Sequence, residues 1–220
     1  MLNSKPIVNK TSKSLLAKCM ATEDIRVEHS KDAETAAFDI KNRCLVLPIW
    51  KDMSNSMYDM LVAHEVSHAL HTPFEEWDKA LDGVSNKGAF KQICNVVEDA
   101  RIERLIKSQY AGVRKDFARA YNELHNTDLF ELKGKNIADL NLIDRLNLEF
   151  KLGLFGLVQV PFSADEKQFV TRMANTETFA DVVELAKDLL EDWKADQDEN
   201  DQQENGQGEQ SEQGDDSENG

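Results

Sequence analysis

Histidines at 64, 68 and 71 fall inside one strongly helical stretch, Asp52 to His71, and that placement limits what the chain can become. Met57, Met60 and Leu61 share a face with all three, and Pro73 stops the helix. Residues four apart lie one turn apart on one side of a helix, so the imidazoles of His64 and His68 can point at a single ion. In the run His64-Glu65-Val66-Ser67-His68, Glu65 sits about 100° around the helix from His64. It can lean over the open side of an ion without binding it. Zinc suits these donors, because it takes nitrogen and oxygen ligands in a tetrahedron and a reactive site leaves one position for water. A carboxylate beside a water acidified in this way can serve as general base. The bland alternative is an exposed helix with two satisfied histidines, and the apolar face around them weighs against it.

A third ligand is sought on the next helix, Ala89 to Gln109. Ile93, Val96, Val97 and Ala100 form one apolar stripe, and Cys94, Ile102, Leu105 and Ile106 form a second. Glu98 lies inside the second stripe. A buried carboxylate needs a partner, because an unpaired buried charge is expensive. Zinc would be that partner, and a salt bridge to Arg101 is the alternative. Asp99, at the edge of the stripe, is expected to orient a ligand histidine and is the other candidate ligand.

The stretch HEVSHALHTP followed by NVVEDARIERLIK resembles the gluzincin group of zinc metallopeptidases. More narrowly, residues 36–130 are similar to metallopeptidases of large tailed bacteriophages, which are often fused through an acidic linker to a von Willebrand factor A domain. The EDARIE segment also resembles helical parts of chelatase-type proteins that work with AAA+ ATPases. The resemblance implies Zn2+ bound by His64, His68 and Glu98, with Glu65 as the base. It implies a protein or peptide substrate, and a von Willebrand factor A domain in a longer parent or an AAA+ ATPase as partner. A non-catalytic zinc-containing adaptor is the alternative function.

Other signals are weaker. His71 shares the face of His64 and His68 and is a candidate catalytic group, as oxyanion donor or substrate contact. Its competing role is to cap the helix C-terminus, where a histidine suits the dipole. Tyr110, Tyr121 and His125 are further possible donors, with packing as the alternative. Asp52-Met53-Ser54-Asn55-Ser56 spells an adhesion-type metal motif, but an N-cap by Asp52 or Ser54 accounts for it. Cys94 reads as a packing residue.

Around these motifs the expected fold is α+β, predominantly α, and zincin-like, with a small N-terminal sheet. Ser12–Met20 reads as a helix, Arg26–His29 and Ala37–Leu47 as two strands around a polar turn. The segment Arg43–Leu47 is a candidate to pair with an extended peptide. Helical patterns follow over 113–125, 137–150, 164–173 and 179–193. The formal charge is −15, and residues 196–220 hold five Asp and five Glu with no Lys, Arg or apolar residue, leaving only −5 on residues 1–195. The expected division is therefore a domain over 1–195 and a disordered acidic tail or linker over 196–220. An acidic chain repels phosphate, which disfavours nucleic acid. No apolar run spans a membrane, no secretory leader is evident, and three scattered cysteines suit a reducing cytoplasm, that of the host if the chain is phage-encoded.

Overall fold

A tight turn at residues 40–43 splits the long β-like run in two and sets the sheet. The computed structural model describes residues 9–50 and 53–208. It has β1 (Arg26–Ser30), β2 (Ala37–Asp39) and β3 (Cys44–Pro48). The Asp39 carboxylate accepts from the Asn42 backbone amide at 2.8 Å and from its side-chain amide at 2.7 Å. Arg43 takes a left-handed φ of 52°. This side-chain turn reverses the chain where a single strand over 37–47 was expected. β3 pairs antiparallel with β2 and parallel with β1, in the order β1-β3-β2. The segment expected to receive a peptide is therefore the central strand, with both sides occupied. β1 and β2 are the two edge strands, each paired on one side only among the described residues. β3 is covered on both faces, and Leu45 and Leu47 are fully buried, which explains its continuous apolar sequence.

The remainder is helical: α1 (Lys10–Ala21), α2 (Asn55–His71), α3 (Phe74–Ala80), α4 (Lys87–Gln109), α5 (Arg114–Asn126), α6 (Leu142–Lys151), α7 (Lys167–Ala174) and α8 (Phe179–Gly208). Side-chain oxygens mark the starts, as expected of caps. Ser54 Oγ accepts from the Met57 amide at the head of α2, and Asn86 Oδ1 accepts from the Ala89 amide at the head of α4. Ser54 thus has the capping role; Asp52 lies outside the described residues. α8 continues to Gly208, past the boundary expected at 195. Propagating a helix from a packed segment needs no new nucleus, and Glu and Gln are adequate helix formers. The rest of the acidic segment, 209–220, lies outside the described residues. None of the described helices is long and apolar enough to cross a membrane. All three cysteines are free thiols.

Two apolar clusters form the interior. One joins the sheet to α1, α2 and α5; the other joins α4, α6, α7 and α8. α2 and α4 pack across the seam between them. There the buried Ser67 hydroxyl donates to the Ile102 carbonyl at 2.7 Å. A small polar side chain lets the helices approach closely, and this bond fixes the axial register of one against the other. The side chains near this crossing define the site.

Candidate metal centre

Both α2 and α4 present a pair of polar residues one turn apart at the seam: His64 and His68 on α2, Asp99 and Glu103 on α4. His64, His68 and Asp99 each offer one ligand atom, all within 4.8 Å of one another. Asp99 Oδ1 lies 3.5 Å from His64 Nε2 and 3.4 Å from His68 Nε2. Two tetrahedral ligands on zinc bonds of roughly 2.0–2.1 Å stand about 3.3–3.4 Å apart. The two Asp99–histidine separations match that spacing, so the three residues could hold a metal ion.

The far nitrogens of both rings show how the donors are aimed. His64 Nδ1 lies 3.2 Å from Glu103 Oε1. A carboxylate can only accept, so Nδ1 carries a proton, and Nε2 is the nitrogen left to face a metal once any proton there is displaced. His68 Nδ1 lies 3.0 Å from Thr72 Oγ1, whose own proton goes to Glu98 Oε1 at 2.5 Å. Thr72 must then accept from His68, which leaves that Nε2 free as well. Glu103 is itself held by the Tyr121 hydroxyl and by Lys107. Replacing Thr72 with Val keeps the shape and removes both bonds. This variant is expected to bind metal about 10–100-fold more weakly, as measured by competition with a chromophoric chelator.

Charge reinforces the arrangement. Burial by itself would lower the His64 pKa, but Asp99, Glu103 and Glu65 outweigh it and raise it to about 9. Burial would likewise raise Asp99, yet Lys151 and the two histidines hold it well below the usual carboxylate range. Burial pushes Glu65 upward, against the pull of His64 and His68. Glu65 is 7% exposed and lines a cleft of about 570 Å³ together with His64, His68, Asp99 and Lys151.

The expected third ligand is placed differently. Glu98 is fully buried, as its apolar stripe required. Its partner there is Arg101, which grips both carboxylate oxygens at 2.7 Å and also donates to the His71 and Glu177 carbonyls. The carboxylate beside the histidines belongs to Asp99. Adjacent residues point about 100° apart on a helix, so both cannot face the same point. Asp99 lies at the margin of the apolar stripe, where a cleft opens. Glu98 still acts on the site, through Thr72 and His68.

Among the other candidates, the His71 ring is not in the cleft lining. Burial and Arg101 lower its pKa. Tyr121 does line the cleft, but its hydroxyl donates to Glu103. Tyr110 donates to the Met20 carbonyl instead, and His125 lies outside the lining. Burial drives the Cys94 thiol to about 12, consistent with packing. Thr72, Glu103 and Lys151 were not anticipated. The first two were accessible, since each stands four residues after a member of the site, at 68 and 99. No local signal marks Lys151, which arrives from α6.

No family model matches the chain, and neither does any curated protein or solved structure.

Proposed function

We propose that the chain is a zinc-dependent peptidase of zincin-like architecture. The observation that carries this is the convergence of His64 Nε2, His68 Nε2 and Asp99 Oδ1 at a cleft that Glu65 also lines. An aspartate in the third place departs from the gluzincin pattern, so the proposal keeps the metallopeptidase chemistry without that label.

His64, His68 and Asp99 would hold the ion, which supplies Lewis acidity toward a water and a peptide carbonyl. Glu65 takes a proton from the water as its oxygen attacks the carbonyl carbon. The same carboxyl then delivers that proton to the amide nitrogen as the C–N bond breaks, giving a carboxylate and an amine. The cleft suits a polypeptide. One wall is Thr35 to Phe38 and Ile40, on and beside the edge strand β2, and apolar Trp50, Leu61, Leu124 and Phe130 contribute elsewhere. An extended chain can bond to a free strand edge while its side chains enter apolar pockets.

Protein stripped with chelator and titrated with zinc should take up about one equivalent per chain, and His64→Ala or His68→Ala should abolish this binding. Because His64 in the metal-free protein is protonated up to pH about 9, zinc must displace that proton. Affinity should therefore rise with pH through neutrality and level off above 9. Chelator-sensitive cleavage of a broad peptide library is the accompanying functional assay. A protein that takes up no transition metal at any pH would refute the proposal.

A further inference from the structure

Among the described residues lining the cleft, Lys151 is the only lysine or arginine. It is the last residue of α6, and α6 packs on α4. Its ammonium group meets Asp99 Oδ2 at 2.9 Å, with both side chains about four-fifths buried. The two oxygens of Asp99 thus have separate tasks. Oδ1 faces the two histidine nitrogens, and Oδ2 is held by a cation.

A carboxylate can bind a metal through one oxygen or both. Two-oxygen binding here would bring the ion toward Oδ2, against the positive charge of Lys151. It would also break a charge-assisted hydrogen bond in a largely dry environment, where such bonds are strong. With Oδ2 held, the protein supplies two nitrogens and one oxygen, and a four-coordinate ion retains a position for water. Resting on the metallopeptidase reading above, we propose that Lys151 is a positioning residue: it confines Asp99 to one-oxygen coordination and so keeps a metal position open for water. The difference between a closed structural metal site and a reactive one would then lie in a lysine that never touches the ion.

Cobalt(II) loaded at one equivalent tests this, because four-coordinate cobalt absorbs strongly in the visible and five-coordinate cobalt weakly. Lys151→Met frees Oδ2. Its cobalt absorption is expected to weaken, and peptide hydrolysis to fall about 10–100-fold, in kcat rather than KM. Lys151→Arg should restore much of both, since a guanidinium can donate to the same oxygen. If a melting curve shows that the Met variant is poorly folded, Lys151→Gln carries the same measurements, with the same direction expected. A spectrum and kcat unchanged from the parent in the neutral variant would overturn the proposal while leaving the peptidase reading intact. A shifted spectrum, with no hydrolysis by variant or parent, would support the clamp and refute the peptidase function. Failure of the parent to bind cobalt would remove both.

Discussion

Glu65→Gln is expected to lower peptide hydrolysis by about 10²–10⁴-fold while leaving metal content at the parental level. The amide preserves the size and planarity of the side chain but cannot accept the proton of the attacking water. Glu65 is suited to that task by position. It lies between two proposed ligands in sequence, lines the same cleft, and is 7% exposed. Burial destabilises its charged form and raises its pKa, which brings a carboxylate closer to the useful range for a base near neutrality. Metal analysis and initial rates on one preparation check the result. Activity within tenfold of the parent would remove Glu65 as the base. Loss of metal along with activity would assign it a structural role instead.

A second pair of variants should separate two adjacent acids by two different readouts. Asp99→Ala is expected to lose metal binding by well over the 100-fold that loss of an orienting neighbour costs, while the protein stays folded. Glu98→Ala is expected to strike folding first. It would leave Arg101 buried without the carboxylate that now holds it at 2.7 Å through two bonds, and breaking one side of a buried ion pair costs about 3–5 kcal/mol. Any metal deficit in a Glu98→Ala protein that still folds should be the smaller one, transmitted through Thr72 and His68. Thermal melts and metal titrations of the two variants decide the matter. A folded Glu98→Ala protein that binds no metal, beside an Asp99→Ala protein that binds normally, would return the ligand role to Glu98.

Legibility in the sequence followed the range of the interaction. The helix that carries His64 and His68 was readable because these histidines and the apolar positions around them repeat with the helix period, and its start at Ser54 follows from a local cap. The break between β2 and β3 was missed although its cause is also local. A continuous β-like run from Ala37 to Leu47 masked a side-chain turn at Asp39 and Asn42. The expected peptide-pairing segment is thereby the central strand β3, paired on both sides, while the free edges belong to β1 and β2, and of these β2 borders the cleft. His71 shared the helical face of His64 and His68, yet it does not line the cleft. Periodicity assigns a face of a helix, and the packing of other elements decides how far along that face an opening reaches.

By itself the sequence determined that two histidines would lie on one face of one helix with a carboxylate about 100° around from the first, and that an acidic pair on a second helix would be available to them. It also determined that Glu98 would be buried, since its neighbours one turn away in either direction are apolar. Only the tertiary structure decided which acid meets the histidines. Glu98 and Asp99 differ by about 100° of helix rotation, and the choice depends on the register that Ser67 and Ile102 set between α2 and α4. It depends also on Arg101 neutralising the inner acid and on Lys151 arriving from α6 to hold the outer one. The Arg101–Glu98 pair is local to one helix and readable as such, whereas Ser67–Ile102 and Lys151–Asp99 join residues brought near only by packing, and no pattern along the chain encodes those meetings.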